Sequence, residues 1–235
     1  MTRLPRVSMV VPLRNEAQAM PALLAHLAAL QDDGVQVILV DGGSSDATVS
    51  MAEGAGFKVL HSAPGRARQM NAGAAGATGE VLLFLHADTR LPPGALAALA
   101  ALAPSAADAA NRPGALWGRF DVRISGRPAL LRVVAALMNA RSRLTGIATG
   151  DQAIFVRQAV FSQIGGFAPL ALMEDIDLSR RLKRLGPPLC LRLKVITSGR
   201  RWEQRGVWRT IFLMWRLRFA YWRGVPADQL ARDYA

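Results

Sequence analysis

Cysteine is almost missing: Cys190 is the single thiol in 235 residues. One thiol forms no internal disulfide and no multi-cysteine metal cluster, which points to a reducing compartment, with the cytoplasm as the expected location and Cys190 a core filler. Long apolar runs are missing as well. Stretches such as Val133 to Met138 and Ile211 to Trp215 fall far short of the ~20 residues that a membrane-spanning helix needs, and no signal-like segment is expected at the start. Lysine is scarce, 3 residues against 26 arginines, so the positive groups resist deprotonation and present planar donors suited to phosphate or carboxylate. Two nucleotide-binding signatures are also absent. There is no Gly-x-x-x-x-Gly-Lys-[Ser/Thr] loop, and Pro12-Leu-Arg-Asn-Glu16 follows the first apolar run where a dinucleotide fold would carry Gly-x-Gly-x-x-Gly.

What is present is apolar and cationic. The chain is long enough for one large α/β domain or two small domains that share a core, and its 51% apolar composition argues against disorder. The net charge of +12 is unevenly placed: residues 1 to 118 carry 8 Lys/Arg against 9 Asp/Glu, and residues 119 to 235 carry 21 against 8. An excess of +13 in the second half suits nucleic acid, an anionic membrane surface, a phosphate-bearing substrate, or simply a soluble Arg-rich face.

In the first half, short β-rich runs alternate with helical spacing. Val7 to Val11, Val35 to Val40, Phe57 to Leu60 and Val81 to Leu85 read as strands, separated by helices near 20–30, 47–55 and 65–74. Alternation of this kind implies right-handed crossovers and a largely parallel sheet, whose ligands bind beyond the carboxyl ends of the strands. The polar clusters Arg14-Asn-Glu16, Asp41 to Asp46 and His86 to Asp88 are therefore expected on one edge. Isolated carboxylates there suit a ribose hydroxyl and a divalent cation that itself holds phosphates. For Asp88 the alternative is a solvent-exposed turn residue.

After a break over Pro104 to Gly114, Leu116 to Ile124 reads as a strand and Ala129 to Leu144 as an amphipathic, cationic helix. Thr149 to Val156 combines a polar turn with a short strand, Ala159 to Ile164 is a short helix, and Leu189 to Thr197 is a final strand. Met173-Glu-Asp-Ile-Asp177 opens a helix that ends in cations, so its acids either cap that helix or include a general base. Thr197 to Glu203 reads as a polar turn whose arginines neutralise phosphate or start a solvated helix. Val207 to Trp222 is an aromatic-rich helix, either docked on the domain or lying at a lipid interface.

Together these elements resemble family 2 glycosyltransferases of the GT-A fold. The likeness is carried in order by Val10-Val-Pro-Leu-Arg-Asn-Glu16, Asp41-Gly-Gly-Ser-Ser-Asp-Ala-Thr48, Gly65-Arg-Ala-Arg-Gln-Met-Asn71, Leu85-His-Ala-Asp-Thr89, Gly150-Asp-Gln152, Gly165-Gly-Phe167 and Glu174-Asp-Ile-Asp177. The stretch from Gly150 to Trp202 is similar to a small bacterial subgroup of transferases associated with radical-SAM/selenodomain proteins and arsenosugar biosynthesis.

The resemblance implies an α/β fold, a single GT-A domain over 1–235 with a mostly parallel, Rossmann-like central sheet flanked by helices. It divides into a nucleotide-binding half, 1–103, and an acceptor-binding half, 115–235, with a C-terminal amphipathic helix. It implies an inverting, metal-dependent glycosyltransferase of class EC 2.4, hexosyltransferase-like, that takes a nucleotide sugar and Mg2+ or Mn2+. On the donor side it implies Pro12, Glu16, Asp41, Ser44 and Arg66, with Glu16 and Asp41 on base and ribose. Asp88 matches the last acid of the family's Asp-x-Asp motif and would hold the metal, although His86 stands where the first acid is expected and is assigned an orienting role. Asp175 would be the catalytic base. Asp151, Gln152, Glu174, Arg200, Arg201 and Trp202 fall on the acceptor or phosphate side, the last three partly matching a Gln-x-x-Arg-Trp motif.

The expected partners are a nucleotide-sugar donor, a small-molecule or lipid-linked acceptor and the surface of an anionic membrane, met peripherally. Two other readings compete. A nucleotidyltransferase needs a basic, Gly-rich triphosphate loop, for which Arg14-Asn-Glu16 is a poor substitute. A nucleic-acid-binding module lacks any zinc-finger spacing, RNP-like strand or helix-turn-helix beside its charge, so no nucleic-acid partner is expected.

Overall fold

The computed structural model describes residues 5–102 and 114–234. Strand β1 (Val7–Leu13) is followed by α1 (Met20–Asp32), β2 (Gln36–Asp41), α2 (Thr48–Gly54), β3 (Val59–His61), α3 (Arg66–Ala75) and β4 (Val81–Phe84). These four strands are parallel neighbours in the order β3-β2-β1-β4. The near-continuous Val/Leu/Ile runs have this cause: both faces of the sheet are covered. Because side chains alternate along a strand, Met9, Val11 and Leu13 pack on the face that holds Leu23 and Leu27 of α1. Val10 and Val40 pack on the opposite face with Ala67, Met70 and Ala74 of α3. Helix α3 lies so close that a Cβ on Gly73 would stand 2.4 Å from Val10 Cγ1.

The second half departs from the expected parallel pattern. After β5 (Thr89–Arg90), α4 (Ala95–Ala98) and a 3-10 turn (Leu99–Leu102) come β6 (Trp117–Ser125), α5 (Leu130–Thr145), a second 3-10 turn (Gly150–Gln152), β7 (Phe155–Arg157) and α6 (Gln158–Gln163). They are followed by α7 (Glu174–Lys183), β8 (Leu189–Ser198), α8 (Arg200–Arg205), α9 (Val207–Trp222) and α10 (Ala227–Tyr234). The eight strands form one sheet, β3-β2-β1-β4-β7-β6-β8-β5. The β4·β7, β6·β7 and β5·β8 pairs are antiparallel and β6·β8 is parallel, so the sheet is mixed rather than mostly parallel. The connections of the second half do not impose one direction: α5 lies between the antiparallel β6 and β7, whereas β6 and β8 are parallel with β7 between them in sequence.

The stretch Thr197 to Glu203 takes its helical alternative: it is the end of β8 and the start of the short helix α8. One smaller expectation is corrected. Cys190 is half-buried on β8 rather than in the core. The break over Pro104 to Gly114 lies, apart from Gly114, outside the described residues.

A bulge at Phe120/Asp121 interrupts the long β6·β8 ladder. Beside it Arg119, fully buried, pairs with Asp121 and donates to the Asn139 carbonyl, and Arg143 reaches Asp121 at 2.6 Å. Helices α9 and α10 close a third cluster in which Leu217 and Leu230 pack on Met173 and Ile176. Among the described residues no helix is long and apolar enough to cross a membrane.

Candidate active site

The three polar clusters do meet at the carboxyl edge of the parallel strands. The link after β1 and the loop after β2 are stitched together: Asn15 N–H donates to Ser44 Oγ (2.9 Å), Glu16 N–H to Thr48 Oγ1 (2.8 Å) and Ser45 N–H to Asn15 Oδ1 (2.8 Å). Asp41, 3% exposed, accepts the Gly43 N–H at 2.9 Å and the Ser44 hydroxyl at 2.5 Å. Burial opposes its charge, but these donors and nearby His61 prevail and hold the carboxyl below its ordinary range. Asp41 and Ser44 thus shape the loop, while Pro12 lies half-buried in β1 opposite Val40.

Glu16 faces Arg200, whose Nη2 is 3.6 Å away. Burial, opposed by Arg200 and reinforced by Asp88, raises the Glu16 pKa. Asp88 sits between β4 and β5, where its Oδ1 accepts the Thr89 and Thr197 hydroxyls at 3.3 and 3.4 Å. The β5·β8 pairing, Thr89 opposite Thr197, is what fixes that position.

His86 Nδ1 pairs with Asp151 Oδ1 at 3.2 Å. Burial works against the Asp151 charge, yet the His86 hydrogen bond and the charges of His86, Arg66 and Arg201 keep its carboxyl low. The imidazole rests on Gly150, where a Cβ would stand 2.4 Å from Nε2. The same Gly150 offers its N–H to Asp175 Oδ2 at 2.9 Å, so one backbone position serves the histidine and the acid together.

Asp175 opens α7, with Ile176 N–H on its Oδ1 at 2.7 Å. Burial raises its pKa against the pull of these two N–H groups. Glu174, 5% exposed, is pushed up to about 7, first by burial and then by the Asp175 charge. Both acids border a cavity of ≈ 10 Å³ walled by Met70, Phe84, Ile154 and Phe167, which explains the weak solvation. Asp177 turns away and pairs with Arg181, one turn on, at 2.7 Å.

The family model for glycosyl transferase family 2 matches residues 8–161. The chain belongs to glycosyltransferase family 2. It is 26% identical over 246 residues to the probable glycosyltransferase YdaM of Bacillus subtilis, covering 95% of this chain and 56% of that protein. It is 32% identical over 165 residues to an undecaprenyl-phosphate 4-deoxy-4-formamido-L-arabinose transferase of Klebsiella pneumoniae, covering 65% of this chain and 48% of that one. The chain thus spans about half the length of these curated relatives. Among solved structures, the mannosyltransferase PcManGT of Pyrobaculum calidifontis superposes with a TM-score of 0.64 at 22% identity, over 93% of this chain and 62% of its own. S. aureus TarS gives 0.62 at 18% identity, over 82% of this chain and 58% of its own. These likenesses show the fold.

Within this family 2 chain, Arg66 is the electrostatic hub: its charge acts on Glu16, Asp151, Glu174 and Asp175 from the first turn of α3. Arg201 acts on Asp151 and Asp88 and lies over the Tyr234 ring at 4.5 Å. Arg200 also donates to Gln18 at 3.0 Å. Two of the residues singled out in the sequence stand apart. Gln152 is fully buried in a capping box with Thr149, and Trp202 packs half-buried on the core.

Arg141 of α5, not singled out by sequence reasoning, has Nε and Nη2 buried without a hydrogen-bond partner, and its charge reaches Asp175. Its spacing alone does not separate it from Arg132 and Arg143 on the same helix.

The residues also fit a divalent cation. Asp88 is a hard oxygen donor whose Oδ2 takes no hydrogen bond from the described residues. Among those residues no group of three His, Cys, Asp or Glu forms a closed cage. One carboxylate completed by phosphate oxygens and water is the coordination Mg2+ and Mn2+ accept.

Proposed function

We propose that the chain is the transferase module of an inverting, metal-dependent glycosyltransferase that moves a sugar from a nucleoside-diphosphate sugar to an acceptor hydroxyl. The observation that carries this reading is Asp175: a weakly solvated carboxylate, oriented by two backbone N–H groups, at the edge that also holds Asp88 and Arg66. A general base needs that combination of fixed geometry and raised pKa. Asp175 takes the proton of the acceptor hydroxyl as its oxygen attacks the anomeric carbon opposite the leaving diphosphate, and a single displacement inverts configuration. Glu16 and the Asp41–Ser44 loop frame the base and ribose.

Arg66, with Arg201 beside Asp88, neutralises charge on the departing phosphates, a preorganised electrostatic contribution. Asp88 would hold a divalent cation, which would supply Lewis-acid stabilisation of the diphosphate. Arg141, whose Nε and Nη2 lack partners and whose charge reaches Asp175, supplies a free donor for the acceptor in this reading. This donor and metal class is supported by the Pyrobaculum calidifontis enzyme, solved with GDP-Man and Mn2+, and by TarS, solved with UDP-GlcNAc. In the same reading, Gly150 to Trp202 places the chain with the transferases associated with radical-SAM/selenodomain proteins.

Asp175→Asn is expected to retain donor affinity in calorimetry while transfer falls at least ~100-fold. Unchanged turnover would sink the assignment. Product analysis decides the reaction type, because nucleoside diphosphate marks glycosyl transfer and pyrophosphate marks nucleotidyl transfer.

A further inference from the structure

Helix α9 has two faces of different character. Leu213, Met214, Leu217, Ala220 and Tyr221 face the protein and pack around Met173 and Ile176. On the other side Trp208, Phe212, Trp215, Phe219 and Trp222 are all large, aromatic and 61–68% exposed. Their spacing of four and three residues draws one stripe along the helix. Arg209, Arg216 and Arg223 are exposed and follow the three tryptophans, one to each, forming a cationic row along one border. Of these, only Arg216 has an ion-pair partner among the described residues, Asp233 at 3.8 Å. No acidic residue occurs in α9 itself.

We infer that this stripe is a docking surface for an anionic lipid bilayer. Tryptophan and phenylalanine beside arginine are the side chains that settle at headgroup depth, with rings in the acyl boundary and guanidinium groups on lipid phosphates. A second copy of the chain fits less well. Stripe against stripe would bring two cationic rows together without a single acid from either α9, whereas an anionic bilayer supplies the missing charge. At 16 residues α9 lies on a bilayer and does not cross it. Docked in this way, α9 lies between the lipid and the turn bearing Glu174 and Asp175, with Leu217 on its inner face against Met173 and Ile176. The inference is independent of whether Asp175 is the base, because it concerns binding alone.

Three of the five tryptophans lie on the stripe, so intrinsic fluorescence reports on it directly. With vesicles of equal parts phosphatidylglycerol and phosphatidylcholine, the whole chain should float with the lipid and its emission shift to the blue. Vesicles of phosphatidylcholine alone should bind at least about tenfold less. Trp215→Glu with Phe219→Glu, and separately Arg209→Glu with Arg216→Glu and Arg223→Glu, should each lose at least about tenfold in partition. All five positions are exposed, so the melting temperatures should stay unchanged, and Trp215→Gln serves as a milder variant if one falls. No flotation would overturn the inference, as would flotation indifferent to both sets of substitutions. So would a dimer in sedimentation velocity that the aromatic variants dissociate, which would assign the stripe to a second copy.

Discussion

Glu174 and Asp175 are adjacent in sequence and border one small cavity, so the second of them to ionise does so against the charge of the first. A carboxyl raised from an ordinary 4.5 to about 7 keeps its proton in the folded state after the unfolded chain has released it. Stability therefore falls as pH rises from about 4.5 to 7 and stays reduced above that, on the order of 3 kcal/mol for a shift of this size. Glu174→Gln should melt higher than the parent at pH 8 and nearly level with it at pH 4.5, in scans at the two pH values. Gly150 carries a second prediction. A Cβ there would stand 2.4 Å from His86 Nε2, so Gly150→Ala must displace the imidazole. Turnover should fall at least ~10-fold while His86→Ala in the same chain restores part of it, a coupling that a double-mutant cycle measures.

At the scale of elements, the longer strands and helices of both halves are legible in the sequence, whereas the strand directions of the second half are not. The ends of β1, β2 and β4 stand out in sequence because a buried parallel strand is a continuous apolar run that stops abruptly at polar residues. The two-residue strand β5 leaves no such signal, yet its pairing with β8 is what holds Asp88 in place. Nor does periodicity encode strand direction, which is why the antiparallel β7 was not foreseen. Asp177 shows the limit for single residues: only the structure reveals that its partner is Arg181 while Asp175 turns to Gly150. Helix α3 deserves a direct test, because its distance from the sheet sets where Arg66 stands. Gly73→Ala, 2.4 Å from Val10 Cγ1, should cost about 1–3 kcal/mol in urea unfolding and weaken donor binding as the helix shifts outward.

For the whole molecule, both halves bring charges of both signs to the edge. The first half, 8 basic against 9 acidic residues, supplies Glu16, Asp41, Asp88 and Arg66, and the second half, 21 against 8, supplies Arg200 and Arg201 together with Asp151, Glu174 and Asp175. A ligand that binds only the folded chain raises its stability, by about 2.7 kcal/mol at a hundred times the dissociation constant. For a chain of this length that is a shift of about 5–10 °C. A screen of nucleotide sugars with Mn2+ should find such a shift, and Asp88→Ala should lose the part that depends on the cation. Equal shifts with and without the cation in both chains would remove Asp88 from its metal role.

Among the described residues, the non-glycine positions with left-handed backbone are Asn15, Ala153 and Met173, and all three border the site from separate segments. Asparagine tolerates that conformation, and Met173 is kept in it by its packing on Leu217. Ala153, with φ 47°, is held there by a methyl group fully buried in the main core cluster. Ala153→Gly relieves the left-handed strain but forfeits that buried methyl and frees the unfolded chain, so stability should change by less than about 1 kcal/mol while the turn that presents Gly150 and Asp151 loosens and turnover drops. A substitution nearly silent in a melting scan would then be plain in turnover, and that contrast would assign the turn to the chemistry rather than to the fold.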